Sequence, residues 1–95
     1  MTERELKEAV KRIARLNGWR VRDEAQAQHF RAVKGESTGY PDLTLARDKE
    51  VLWMELKTDD GMQTAEQYAW ELALPAYHVI RPKHLDNGRV NELLS

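Results

Sequence analysis

Two acidic residues and a lysine stand in two neighbouring apolar segments of the chain. Asp42 follows Pro41 at the start of the first segment, and Glu55 and Lys57 lie two residues apart in the second, after a gap of twelve residues. Carboxylate oxygens are the ligands that Mg²⁺ and Mn²⁺ favour. An ammonium beside them can orient or help to deprotonate a water molecule, and it can offset charge that develops on a phosphate. These three side chains are therefore candidates for metal-assisted chemistry.

The expected pairing of the two segments brings the acids together. Residues 42–47 and 50–57 have the composition of strands, and the polar pair Asp48-Lys49 predicts a two-residue turn between them. With that turn, Asp42 stands directly across from Glu55. Opposed β-carbons lie about 4.5 to 5.5 Å apart, and like charges there destabilise a sheet unless something positive lies between them. We therefore predict a cation between the two carboxylates.

Mg²⁺ or Mn²⁺ is the predicted cation. The main-chain carbonyl of Leu56 is a possible further oxygen ligand beside the two acids. Zinc is disfavoured, because the chain has no cysteine and its three histidines, His29, His78 and His84, show no ligand spacing.

A simpler interpretation competes with the metal site. An exposed Glu55–Lys57 pair on one strand face would be worth less than about 1 kcal/mol, and an aspartate after a proline is a common strand-entry residue. Neither motif is specific by itself. The register favours the metal, because an unfavourable pair of acids on otherwise apolar strands requires a compensating ligand.

Patterns elsewhere predict an α/β domain with the antiparallel hairpin in its middle, covered by helices. Thr2 and Thr64 are expected to begin helices, each with a capping box closed three residues later by Glu5 or Gln67. The predicted helices are 2–17, 64–74 and 90–94; the predicted strands are 19–22, 42–47, 50–57 and 77–80, with 29–33 either a strand or an extended loop.

Composition narrows the class of protein. The 95 residues, 41% hydrophobic and 33% charged, are enough for one domain, and the net charge of −1 gives no global attraction to a polyanion. Residues 1–34 nevertheless carry nine basic and five acidic side chains, whereas residues 35–74 carry three and nine. The absence of cysteine excludes disulfides and thiolate chemistry and favours a cytosolic protein. No stretch approaches the roughly 20 apolar residues of a membrane span, so no membrane partner is expected.

Several motifs in order resemble those of a nuclease family. The run Gly39-Tyr40-Pro41-Asp42-Leu43, followed by Glu55-Leu56-Lys57, resembles the PD-(D/E)xK nuclease signature. Downstream residues and the opening helix are similar to the virus-type replication-repair nuclease (VRR-NUC) branch: Lys57-Thr58, Gly61, Thr64, Gln67, Trp70 and the run 2–6. The resemblance covers about residues 2 to 85. It departs at Leu74-Pro75-Ala76, where the family usually has a glycine before the last strand.

The resemblance implies metal-dependent hydrolysis of DNA on a restriction-endonuclease-like mixed sheet, with a central antiparallel hairpin flanked by helices. It implies that Asp42, Glu55 and the Leu56 carbonyl bind Mg²⁺, for which Mn²⁺ substitutes, and that Lys57 activates water. Glu3 would be the acid supplied by the first helix, binding the metal directly or through water. Glu5 is the competing choice, but its capping-box position already explains it. Gln67 would approach the site from the second long helix, or would only close its capping box.

DNA contacts and partners are expected from the same comparison and from charge. Arg31 and Lys34, just before the glycine-rich loop that leads to Asp42, are predicted to contact DNA phosphates. Basic positions on the first helix, Lys11 among them, are either further contacts or a solvated face.

Stand-alone VRR-NUC domains resemble homodimeric enzymes that resolve four-way (Holliday) junctions. We therefore expect a homodimer that cuts branched DNA in the cytoplasm of a bacterial or phage-infected cell. A general duplex nuclease and a non-catalytic DNA-binding or assembly module on the same fold remain alternatives, and nothing in the sequence excludes RNA.

Overall fold

A four-stranded mixed sheet with helices packed around it forms the framework of the molecule. The computed structural model describes residues 1–29 and 39–95. In chain order the elements are α1 (Glu3–Leu16), β1 (Arg20–Asp23), α2 (Glu24–His29), β2 (Leu43–Arg47), β3 (Glu50–Leu56), α3 (Ala65–Ala73), β4 (Tyr77–Ile80), α4 (Pro82–Asp86) and α5 (Arg89–Leu94). The strands lie in the order β1-β2-β3-β4. This confirms the α/β class, with a mixed sheet and a hairpin at its centre.

The β2–β3 hairpin has the predicted register. Arg47 pairs with Glu50 and Leu43 with Met54, with no slip between them. The turn residues Asp48 and Lys49 have φ values of 49° and 69°, which suit the tight two-residue turns whose twist matches that of the flanking strands. β1 continues the sheet antiparallel to β2, and β4 adds to β3 in parallel.

One face of the sheet is buried beneath α1 and α5. Alternation along the hairpin sends its aliphatic side chains to this face, where they meet the apolar stripe of α1. The core comprises Leu6, Val10, Ala14, Trp19, Leu43, Leu45, Leu52, Met54, Leu56, Ile80, Val90 and Leu94. Trp19 joins it from the end of α1, and its indole Nε1 donates to the Leu94 carbonyl at 2.9 Å.

The opposite face of β3 carries Glu55 and is covered by α3. Contacts here are polar and aromatic: Trp53 Nε1 donates to the Tyr40 hydroxyl at 3.0 Å, and the Tyr40 and Trp70 rings meet edge to face at 4.8 Å. No residue of α3, which is described throughout its length, is fully buried. α3 is therefore held by a few specific contacts rather than by a deep apolar seam.

Both predicted capping boxes are present. Thr2 N donates to Glu5 Oε1 at 2.8 Å and Glu5 N donates to Thr2 Oγ1 at 3.1 Å; Thr64 and Gln67 repeat the pattern at α3. The helices accordingly begin one residue after each threonine.

Two short helices were not predicted. α2 occupies residues 24–29, with Asp23 accepting from Gln26 N at 3.4 Å at its start; His29, where a strand or extended loop was expected to begin, is its last residue, and residues 30–33 lie outside the described ranges. α4 begins at Pro82, and the preceding Arg81 N donates to His84 Nδ1 at 2.8 Å. Among residues 1–29 and 39–95 no helix is long and apolar enough to cross a membrane.

Candidate active site

Asp42 lies at the open end of the hairpin, one residue before β2. Its carboxylate Oδ2 accepts from the main-chain N–H of Leu56 at 2.8 Å, and its carbonyl accepts from Glu24 N at 2.9 Å. Its side chain thus spans the gap between the two strands, while its main chain ties the start of β2 to the start of α2.

The main-chain hydrogen bonds of β3 determine the direction in which the N–H and carbonyl of Leu56 point. Trp53 N and Lys57 N both donate towards β4, to Ala76 O and Ile80 O at 2.9 and 3.0 Å. Alternation therefore turns the N–H of Leu56 towards β2, and in an extended strand the carbonyl of a residue points to the same side as its N–H. The Leu56 carbonyl consequently faces the side of the hairpin where the Asp42 carboxylate lies.

Glu55 is a buried acid with an incomplete set of partners. The residue is 2% exposed. Its Oε2 accepts from Gln67 Nε2 at 2.9 Å and lies 3.6 Å from Lys57 Nζ, but the buried Oε1 has no hydrogen-bond partner among the described residues. Burial and then the charge of Asp42 raise the pKa of Glu55 to about 8, against the opposing effect of Lys57. The pair of acids is therefore a site that favours a proton or a cation.

Lys57 is placed where β3 ends. Its N–H continues the pairing with β4, and its side chain is 13% exposed beside Glu55. The following loop folds back on its stem, since a β-carbon added at Gly61 would lie 3.5 Å from Lys57 Cδ. The ammonium is thus held near the acids but is not sealed from solvent.

Gln67 makes both of the contacts that the sequence suggested. Its amide oxygen accepts from Thr64 N at 2.9 Å and closes the capping box, while its amide nitrogen donates to Glu55. The two ends of one side chain satisfy the two alternatives together.

Glu3 lies apart from the two acids. It is exposed in the first turn of α1 and lines, with Asp42 and Leu56, an open cleft of about 340 Å³. Within residues 1–29 and 39–95, no three acidic or histidine side chains converge closely enough to hold one ion. Of the two acids proposed from this helix, Glu3 faces the cleft, whereas Glu5 is engaged by the cap of α1.

One basic residue of the first helix, Lys11, differs from the prediction. Lys11, considered a DNA contact or part of a solvated face, is neither: it is 3% exposed, and its Nζ lies 2.9 Å from Asp23 Oδ2. This happens because α1 packs along β1, which turns that face of the helix inward. Arg31 and Lys34, predicted to contact phosphates, lie outside the described residues.

Arg81 is a residue that the sequence analysis missed. Its Nη1 donates to the carbonyls of Thr58 and Gly61, both at 2.6 Å, and so closes the loop that follows Lys57. No motif signalled this role. The only available signal was that a polar loop without regular structure needs donors for its carbonyl groups.

Asp23 is a second buried acid, and it lines the same cleft. Burial alone would raise its pKa, but hydrogen bonds from Lys11 and Gln26 N, with the charges of Lys7 and Lys11, lower the pKa overall. The difference from Glu55 has a physical cause. Within the described ranges Asp23 has two ammonium partners, at 2.9 and 3.3 Å, whereas Glu55 has one, at 3.6 Å, and a neighbouring acid.

Comparisons of the chain with protein-family models, with curated proteins and with solved structures find no match.

Proposed function

We propose that this protein is a Mg²⁺- or Mn²⁺-dependent endonuclease that hydrolyses DNA phosphodiesters, and that its mixed sheet has the restriction-endonuclease-like fold. The observation that carries the proposal is the buried Glu55 carboxylate, which has Asp42 beside it and Lys57 3.6 Å from one oxygen, while its other oxygen has no hydrogen-bond partner within residues 1–29 and 39–95. A carboxyl group buried next to a like charge destabilises the fold. Its presence therefore favours a functional role over a purely structural one.

The donor groups fit a hard divalent cation. Asp42, Glu55 and the carbonyl of Leu56 offer oxygen atoms of the kind that Mg²⁺ prefers, and an ion between the acids would complete the partners of Glu55 Oε1. When bound, such an ion supplies Lewis-acid stabilisation of a phosphoryl oxygen and lowers the pKa of water. Glu3 lines the cleft that Asp42 and Leu56 also line, and from there it would reach the metal through water rather than by direct contact.

Two side chains around Asp42 and Glu55 have separate roles in the proposed reaction. Gln67 fixes the orientation of Glu55 through its amide nitrogen. Lys57 orients the attacking water and balances charge on the phosphate as the new P–O bond forms and the P–O bond to the leaving sugar oxygen breaks. The attacking water gives up a proton to solvent in the open cleft, and the leaving oxygen takes a proton from the same solvent.

Cleavage assays test the proposal directly. Labelled four-way junction, flap and linear duplex are incubated with the folded protein in Mg²⁺, in Mn²⁺ and with chelator. We expect metal-dependent product, greatest on branched DNA, and we expect Asp42→Asn and Lys57→Ala to abolish it while DNA binding persists. Protein that is folded yet inert on every substrate in both metals would refute the enzyme; tight binding without product would indicate the non-catalytic module instead.

Preference for a four-way junction further implies a homodimer, because a junction presents two symmetric strands and a twofold pair of subunits offers two sites. Light scattering of the purified protein, alone and with junction DNA, measures this. A monomer in both conditions, cutting duplex and junction equally, would favour the general nuclease.

A further inference from the structure

The loop between β3 and α3 is held in place by the start of α4. Arg81 Nη1 donates to the carbonyls of Thr58, Asp59 and Gly61 at 2.6, 3.4 and 2.6 Å. Lys83 N, in the first turn of α4, donates to Asp59 Oδ1 at 3.4 Å. The position of the loop therefore depends on how well the first turn of α4 is formed.

A histidine closes that first turn. The main-chain N–H of Arg81 donates to His84 Nδ1 at 2.8 Å, and His84 N donates to the Arg81 carbonyl at 2.8 Å. A side chain three residues into a helix that reaches back to the N–H of the residue before it is one half of a capping box. Because an imidazole nitrogen accepts a hydrogen bond only when it carries no proton, the contact requires neutral His84 with its proton on Nε2.

The capping boxes of α1 and α3 use side chains that keep an acceptor throughout the range near neutral pH. Glu5 accepts from Thr2 N, and Gln67 accepts from Thr64 N. His84 fills the same position in α4, but its side chain loses its acceptor when it takes up a proton in mild acid. The start of α4 is therefore sensitive to pH in a way that the starts of α1 and α3 are not.

The charges that act on His84 oppose its protonation on balance. Among the described residues, Arg81 and Lys83 belong to the same turn, Arg89 acts from α5 and Asp59 acts from the loop. Burial first, and then the three basic side chains, lower the pKa of His84 from its ordinary value of 6.5, while Asp59 opposes them. Neutral His84 thus contributes stability at neutral pH, and this contribution is lost as the pH falls through the lowered pKa.

We infer that His84 is a positioning residue: as a neutral acceptor it keeps the start of α4 formed, and through Arg81 it holds the loop after Lys57, so that mild acid releases the loop. The inference rests on the proposed function in one respect, which is that this loop must be in place for cleavage. The coupling of His84 to the loop is independent of catalysis. His84 acts through Arg81 and takes no part in the hydrolytic step.

Nuclear magnetic resonance of the metal-free protein tests the coupling without cleavage. Ring nitrogen shifts report the tautomer and titration of His84, and amide hydrogen exchange gives the protection of Arg81 N–H in the cap and of Gly61 N–H, which donates to Thr58 O in the loop. His84→Gln keeps an acceptor, does not titrate and shares every other ionisation with the wild type. From about pH 8 to about pH 5, the ratio of wild-type to His84→Gln protection should fall about fivefold at both amides, the usual effect of losing one capping hydrogen bond.

Two further variants complete this test. His84→Met has no acceptor and should show the low protection at both ends of the pH range. His78→Gln removes another partly buried histidine, one outside the cap, and should keep the wild-type fall. A fall at Arg81 without one at Gly61 would show that His84 supports α4 alone, and would refute the coupling.

Cleavage of four-way junction DNA in Mg²⁺ over the same pH range tests the consequence. The ratio of the wild-type kcat to that of His84→Gln, both folded by circular dichroism, should fall in acid while KM changes little. Equal pH profiles of these two proteins in either measurement would refute the inference, while the nuclease stands if the wild type cuts. The expected exchange differences in a wild type that cuts no DNA at any pH would support the coupling and overturn the proposed function.

Discussion

Removal of Lys11 should destabilise the protein far more than removal of its exposed neighbour Arg12. In the Lys11→Met variant the apolar stem of the side chain is retained, but of the residues that the structure describes only Lys7, at 3.3 Å, is left as an ammonium partner of Asp23. Breaking a buried ion pair from one side typically costs about 3 to 5 kcal/mol. Because Lys7 remains and is partly hydrated, we expect a loss near the lower end, about 3 kcal/mol.

Urea unfolding measures this loss, with Arg12→Met as the control. That change removes an exposed charge one residue away on α1, so its free energy of unfolding should stay within about 0.5 kcal/mol of the wild type. Adding Asp23→Asn to Lys11→Met should recover part of the loss, since asparagine can still cap α2 without burying a charge that has lost its closer partner.

The same pair fixes a pH dependence. The pKa of Asp23 is lowered in the folded protein, so its contribution to stability is present above its unfolded pKa and is lost as the pH falls below about 4. The gap between wild type and Lys11→Met should therefore narrow in acid. Equal stabilities of the Lys11→Met and Arg12→Met variants at neutral pH would refute the buried ion pair.

Three further predictions concern the site and its frame. Because the pKa of Glu55 is raised in the folded protein, protonated Glu55 contributes stability to the metal-free fold below its unfolded pKa of about 4.5, and this contribution is lost as the pH rises towards about 8. The free energy of unfolding measured in EDTA should show this decline, Glu55→Gln should lack it, and Mg²⁺ should oppose it. An unchanged decline in Glu55→Gln would contradict the assignment. Arg81→Met should slow cleavage about 10- to 100-fold with little change in DNA affinity, because the loop after Lys57 loses its anchor; a change in affinity alone would argue against this role. Gly39→Ala should lower the melting temperature more than Gly88→Ala does. Both glycines have positive φ, but a β-carbon at Gly39 would lie 2.6 Å from a side-chain atom of α3, whereas Gly88 faces open space. Equal losses would show that α3 moves away without cost.

Local signals in the sequence predicted much of the frame. The threonine capping boxes, the Asp48-Lys49 turn and the alternation of the hairpin are short-range patterns, and each reappears within a residue or two of its predicted place. The proximity of Asp42 to Glu55 followed from the same register.

Features that depend on packing between distant segments were not predictable. Lys11 has the same residue type as a solvated surface lysine, and only the position of β1 beside α1 makes it a buried partner of Asp23. Arg81 meets its carbonyl partners across twenty or more residues of sequence. The place of Glu3 in the cleft, without direct convergence on the other acids, likewise depends on how the first helix lies over the sheet.

The contact between Asp42 and the N–H of Leu56 has a further consequence for the shape of the hairpin. A side-chain oxygen here takes the place of a main-chain acceptor from the neighbouring strand, so the main-chain pairing of the two antiparallel strands ends at this point. One residue therefore both ends the pairing of the strands and supplies a carboxylate to the cleft that it lines. Asparagine at position 42 can still accept the hydrogen bond from Leu56 while the negative charge is removed. Alanine would lose both the hydrogen bond and the charge.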